Sequence, residues 1–164
     1  MTHKERKETG MKIFIGADHR GYALKKKISS SLTKVGHQVV DVGTHQDKVS
    51  CDYPRFSYKV AQAAAGSKNA RGILICMTGI GHAIAANKVP GAYAALCYNK
   101  QAAVLSREHN NANILVIGAK FVSFAAMKDM IRLWLVTPFA GGRHARRVAQ
   151  IKRIERRALS KKKK

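Results

Sequence analysis

Residues 73–88 read ILICMTGIGHAIAANK. An apolar run delivers a cysteine, a threonine and two glycines, Gly79 and Gly81, to the start of a helical pattern. Backbone N–H groups left uncovered at a helix start make a ready anion site. A thiol beside them, Cys76, is a candidate base or nucleophile, because such N–H groups favour the thiolate that does this chemistry. The same spacing equally fits a cysteine that simply ends a buried strand. The stretch is not a dinucleotide fingerprint: the third position of G-x-G-x-x-G falls on Ile84, and no acid follows about 20 residues on to hold a ribose. Nor does it carry the GK[ST] of a P-loop. What remains is a small anionic pocket with a thiol beside it.

Such a group must be held by elements the rest of the chain supplies. Apolar, β-branched runs of strand length recur at 11–16, 38–43, 72–76, 92–97 and 113–118, with helical patterns between them. That alternation predicts βαβ units and a parallel sheet. Leu24, Ile28, Leu32 and Val35 form one stripe of a first helix closed by Gly36. Pro54 opens a second helix that ends at Gly66. Further helices are predicted over 80–88, 99–109 and 123–136, the last with Ser123 as N-cap and Met127, Met130, Ile131 and Trp134 facing inward. After Gly141 and Gly142 comes a basic helix carrying Val148, Ile151 and Ile154, a narrow stripe suited to docking on a partner subunit. The expected fold is a single α/β domain: a doubly wound, Rossmann-like, five-stranded parallel sheet with helices on both faces. Ligands of such sheets sit outside the carboxyl ends of the strands. Asp18 and His19, residues 44–53, residues 76–82 and Lys120 should therefore line one edge.

The chain has 164 residues, enough to bury a sizeable core without disulfides. Its start, MTHKERKETG, lacks the apolar core of a secretory leader, and no run approaches the roughly 18 apolar residues of a membrane span. The expected location is the cytoplasm. Cys51, Cys76 and Cys97 fit neither a disulfide framework nor a CxxC metal knuckle. The formal charge is +22, and residues 143–164 hold eleven lysines and arginines against one acid, Glu155. That balance favours anionic partners, whether phosphorylated small molecules, nucleic acid or an acidic membrane surface. The divisions expected are a polar extension over 1–10, a folded domain over 11–157 and a basic tail over 158–164.

ADHRGYALK, DYP, ILICMTGIGHAIAANK, SREHNNAN and GGRHARRV, in this order and spacing, resemble the ribose-5-phosphate isomerase B family, which also contains the galactose-6-phosphate isomerase subunits. The resemblance runs from about Met11 to Arg157. It implies an aldose–ketose isomerase of the pentose phosphate pathway that works through an enediolate, with neither metal nor other cofactor. Cys76 then resembles the base that moves a proton between C1 and C2. Thr78 and the N–H groups of Met77, Thr78, Gly79, Ile80 and Gly81 would stabilise the enediolate oxygen. His109 resembles the acid that opens the furanose ring, a task suited to a side chain titrating near neutrality, and Asp18 resembles its helper on the sugar oxygens. Arg143 and Arg147, spaced i and i+4, with His144 between them and His19 as a further contact, resemble the phosphate site. Asn110 resembles the sugar-binding asparagine, and Tyr53 of DYP joins the substrate-binding set. The resemblance further implies active sites built between subunits, hence a homodimer or homotetramer.

Several positions depart from the family's pattern. Met77 stands where glycine is usual and would be strained if that residue needs positive φ. His82 and Ala83 replace an apolar residue and a serine, and Met77 and His82 are placed to line the sugar pocket. Asn111 replaces aspartate, and Lys120 replaces a phosphate-binding arginine, keeping the charge but losing the fork. A six-carbon aldose phosphate, such as allose or galactose 6-phosphate, is accordingly a rival substrate. A nucleic-acid-binding protein on an isomerase-like scaffold is the rival from another class, resting on the basic C-terminal segment.

Overall fold

The computed structural model describes residues 10–160. The predicted tail lysines 161–164 and nearly all of the polar extension lie outside the described residues.

Five strands, β1 (Lys12–Ala17), β2 (Gln38–Asp41), β3 (Ala70–Cys76), β4 (Ala94–Cys97) and β5 (Ile114–Gly118), form one sheet of order β2-β1-β3-β5-β4. All neighbouring strands are parallel. Six helices accompany them: α1 (Tyr22–Lys34), α2 (Pro54–Ala65), α3 (Ile80–Ala86), α4 (Lys100–Asn110), α5 (Phe124–Val136) and α6 (Gly142–Ser160). This is the expected doubly wound α/β fold.

Alternate residues of the central strands face opposite layers, as strand pleating requires. Ile73, Ile75, Leu115 and Ile117 pack with Ile28 and Leu32 of α1 and with Met127, Met130, Ile131 and Trp134 of α5. Leu74, Ile114 and Val116 pack on the other side with Val60, Ala61 and Ala64 of α2 and Ala86 of α3. Both faces of the sheet are therefore covered, which explains why its strands read as continuous apolar runs. Ser123 caps α5 as predicted, its side chain accepting from the Ala126 N–H at 3.3 Å.

One expectation is corrected. Val35 does not belong to the buried stripe of α1: the helix stops at Lys34, Gly36 turns away with φ +96°, and Val35 is 61% exposed. In α6, Val148 is buried against the body of its own chain, while Ile151 and Ile154 stay exposed at 43% and 66%. The helix is tied to this chain by Glu155, whose Oε1 accepts from the Gly91 N–H at 2.8 Å, and the segment leading into it by the Ala140 N–H, which donates to Glu108 O at 3.0 Å.

One buried ion pair links the first βαβ unit to the loop beyond it. Lys25 of α1 is fully buried and donates from Nζ to Asp41 Oδ1 at 2.7 Å and to the Thr44 carbonyl. Without those acceptors an ammonium at that depth would be untenable.

Candidate active site

The sheet order reverses between β1 and β3: the chain leaves β1 outward to β2 and continues from β3 toward β5 and β4. Open α/β sheets bind ligands in the crevice above such a switch point. Asp18 leaves β1 there and Cys76 ends β3 beside it. Asp18 is 5% exposed. Its Oδ1 accepts from the backbone N–H groups of Arg20 and Gly21, at 3.0 and 3.1 Å, closing the turn into α1. Its other oxygen, Oδ2, accepts from the Cys76 thiol at 3.3 Å.

The half-buried Cys76 is pulled two ways. Burial, the Asp18 charge and the bond to Asp18 push the thiol up from its ordinary value, while the N–H groups of Gly79 and Met77 pull it down. The upward influences prevail, so the resting group is a thiol. The expectation that helix-start N–H groups alone would favour the thiolate is thus corrected: those groups do face the sulfur, but desolvation and the adjacent carboxylate outweigh them.

The loop after β3 has a glycine where the backbone demands one. Gly79 sits at φ +82°, and a Cβ there would meet Leu96 Cδ1 at 2.6 Å and Val116 Cγ1 at 3.2 Å. Met77 is not strained, since Asn111 is the sole non-glycine with positive φ among the described residues. The loop is tied to the exit of β5, where the N–H groups of Ala119 and Lys120 donate to Cys76 O and Met77 O at 2.7 and 2.9 Å. That anchors the backbone of Lys120 at this edge and leaves its side chain exposed. Thr78 is half-buried; its Oγ1 accepts from the Ile80 N–H at 3.4 Å and its carbonyl from the Tyr98 hydroxyl at 3.2 Å.

Tyr53 and His19 complete this edge. The Tyr53 ring covers Gly81 so closely that a Cβ there would come within 2.5 Å of it. His19 Nδ1 accepts from the Cys51 N–H at 3.2 Å, which fixes its ring beside the Asp18 turn. His82 does not line an open pocket: it is fully buried, with Nδ1 2.6 Å from Ser57 Oγ and its ring 5.5 Å from that of Tyr53. Burial lowers its pKa to about 4, against the opposing pull of Asp18. Ser57 and Tyr98 were not anticipated from the sequence. Their partners lie far along the chain, and no spacing rule links them.

The remaining predicted residues gather elsewhere. Each strand of this sheet ends at the Cys76 edge, and α4 runs back from it, so His109 and Asn110 lie at the amino edge. The segment after α5 reaches the same place. There the rings of His109 and His144 stack, 4.0 Å apart and 5° from parallel, and Arg143 Nε lies 3.4 Å from His144 Nε2. Burial, then the charges of His109, Arg143 and Arg147, hold His144 below its ordinary value, with Glu108 opposing. Arg143 and Arg147 are exposed on the first turns of α6. Within one chain, then, two half-sites stand at opposite edges of one sheet: a thiol, carboxylate and N–H loop at one, and an imidazole pair with a guanidinium pair at the other.

Residues 13–151 match the Ribose/Galactose Isomerase family. The chain is 42% identical over 146 residues to ribose-5-phosphate isomerase B of Escherichia coli strain K12, covering 89% of this chain and 97% of that one. It is similar to the solved ribose-5-phosphate isomerase B of Clostridium thermocellum, with a TM-score of 0.87 and 51% identity, covering 90% of this chain and 99% of that one. The Mycoplasma genitalium ribose-5-phosphate isomerase B with bound ribulose-5-phosphate superposes with a TM-score of 0.86 at 41% identity, over 91% and 99% of the two chains. With this fold and these motifs over nearly its whole length, the chain belongs to the Ribose/Galactose Isomerase family.

Proposed function

We propose that the protein is an aldose–ketose isomerase that interconverts ribose 5-phosphate and ribulose 5-phosphate through an enediolate. The observation that carries this reading is the Cys76 sulfur, held 3.3 Å from Asp18 and faced by the N–H groups of Gly79 and Met77 at the switch point of the sheet. The family membership and the ribulose-5-phosphate bound to the Mycoplasma genitalium relative support it.

Cys76, once deprotonated, takes the proton from C2 of the open-chain aldose and returns it to C1, while a hydroxyl proton passes from O2 to O1. The formula is unchanged and no oxidant enters. Negative charge develops on the sugar oxygens at the enediolate stage, where Thr78 and the N–H groups of the 77–81 loop are suited to meet it. Asp18 acts on the sugar hydroxyls, and His109 serves as the acid that opens the ring. Arg143 and Arg147 hold the phosphate with guanidinium forks, helped by His19, His144 and Lys120, while Asn110 and Tyr53 position the sugar.

These roles need both half-sites around one substrate, which a single chain does not provide. A second copy, presenting its His109 and Arg143 edge to the Cys76 edge of the first, would assemble a complete site, and two-fold symmetry would give two such sites per dimer. Ile80, Ile84 and Phe121, 51%, 58% and 57% exposed around the Cys76 edge, are apolar surface of the kind an interface covers.

The direct test is conversion of ribose 5-phosphate to ribulose 5-phosphate by chelator-treated protein, with Cys76→Ala alongside. Conversion that disappears in a folded Cys76→Ala fixes the reaction and the base. A folded parent that isomerises allose or galactose 6-phosphate with the higher kcat/KM would shift the assignment to a six-carbon substrate.

A further inference from the structure

His82 is fully buried, yet its Nε2 has no hydrogen-bond partner. Buried polar atoms in that state point to a missing partner. A ring nitrogen of His82, a carboxylate oxygen of Asp18 and the Cys76 sulfur lie within 4.8 Å of one another, the one such group of three found among the described residues. The Cys76 and Asp18 atoms are already at 3.3 Å. Tetrahedral ligands held at zinc bond lengths stand roughly 3.3–3.7 Å apart, so bringing in the imidazole requires only a small closure.

The tautomer suits the purpose. With the Ser57 hydroxyl donating to the Tyr53 carbonyl at 3.2 Å, its oxygen is free to accept an imidazole Nδ1–H across the 2.6 Å contact with His82. In that tautomer Nε2 keeps a free lone pair, and Ser57 is the partner that a ligating histidine's second nitrogen usually has. Burial keeps the ring neutral at ordinary pH, as a ligand must be.

We propose that Asp18, Cys76 and His82 form a binding site for a thiophilic divalent cation of the zinc class, and that its occupation switches the isomerase off. Sulfur, imidazole and carboxylate are a zinc-type donor set, with a fourth position left for water. Binding replaces the Cys76 proton, which is released to solvent, and the cation's two charges are matched by one thiolate and one carboxylate. The inhibition rests on the isomerase reading, because the cation takes up the sulfur assigned as base. The binding does not.

The probe is Co²⁺ added to the chelator-treated full-length protein. One equivalent should give a thiolate-to-cobalt charge-transfer band, displaced by Zn²⁺, which binds such sites more tightly. Cys76→Ala should lack the band, and His82→Met should bind cobalt at least about tenfold more weakly. The cobalt form of the unaltered protein should also show a paramagnetically shifted, slowly exchanging imidazole N–H, that of His82 held by Ser57, a readout that needs no variant. In the ribose 5-phosphate assay Zn²⁺ should inhibit and chelator restore, with the inhibition midpoint raised by the same factor in His82→Met relative to its own uninhibited rate. Absence of the band, or of the shifted N–H, in folded protein would overturn the site, and so would unchanged cobalt affinity in His82→Met. Band and N–H present without any isomerisation by the metal-free protein would leave the site standing and remove the activity reading instead.

Discussion

The Cys76 thiol donates to Asp18 Oδ2 at 3.3 Å, so the group assigned as base rests in its protonated form against a carboxylate. Asp18 holds the thiol up twice over, by its charge and by accepting its proton. Asp18→Asn removes the charge and places an amide that can still accept from the Arg20 and Gly21 N–H groups. The pH midpoint for iodoacetamide labelling of Cys76, followed on its own peptide by mass spectrometry, should therefore move down, and labelling at neutral pH should quicken. A midpoint that stays put or rises would show that Asp18 does not govern the thiol. On the proposed role of Asp18 at the sugar hydroxyls, turnover should fall in the same variant, separating thiolate supply from substrate handling.

His82 gives the fold an acid limit. Its folded pKa of about 4 lies below the ordinary 6.5 because it is buried, so folding favours the neutral ring. The stability this represents is whole above pH 6.5, declines as pH falls, and is gone near pH 4; integrated, it amounts to at most about 3 kcal/mol. His82→Met, an apolar side chain of similar length, should show a shallower fall of Tm between pH 6.5 and 4 than the parent. Parallel curves for the two proteins would contradict the assignment.

Short-range pattern told much of this structure in advance, and long-range pairing told little. The strands and the inward residues of α5 were legible because pleat and helix periods are local. Val35 continues the apolar spacing one step past the end of α1 at Lys34, just where Gly36 turns the chain, so spacing alone places it in a stripe it does not join. The motif around Cys76 pointed to its place at the end of β3, but its protonation state depends on Asp18, 58 residues earlier. Likewise the Ser57–His82 bond joins residues 25 apart with no shared motif. The division of the site between two edges follows from strand direction once the sheet order is known; adjacency in sequence gives no hint of it.

Lys25 and Asp41 offer a test of the fold apart from the chemistry. Asp41→Ala leaves the Lys25 ammonium buried with the Thr44 carbonyl as its remaining acceptor. Stranding one member of such a pair costs about 3 kcal/mol, or roughly 6–12 °C in Tm for a domain of this size. Lys25→Met should cost less, because it buries no charge and keeps the apolar stem. Thermal melts that rank the two variants the other way would mean that the ammonium reaches water after Asp41 is lost.

The two half-sites make their own prediction. If Cys76 of one copy works with His109 of another, Cys76→Ala and His109→Ala damage different contributions to each composite site. Either variant alone should be close to inactive. In a mixed dimer one site carries both lesions, but the other combines the intact Cys76 of one chain with the intact His109 of its partner. Random re-association of equal amounts puts half the dimers in the mixed form with half their sites intact, so roughly a quarter of the parental activity should return. The measurement is ribulose 5-phosphate formation after the two purified variants are unfolded together and refolded, with each refolded alone as control. Return of activity requires a shared site, because no chain in the mixture carries both residues. If the mixture stays as inactive as its components while refolded parent recovers, Cys76 and His109 must act within one chain, or His109 is not the acid.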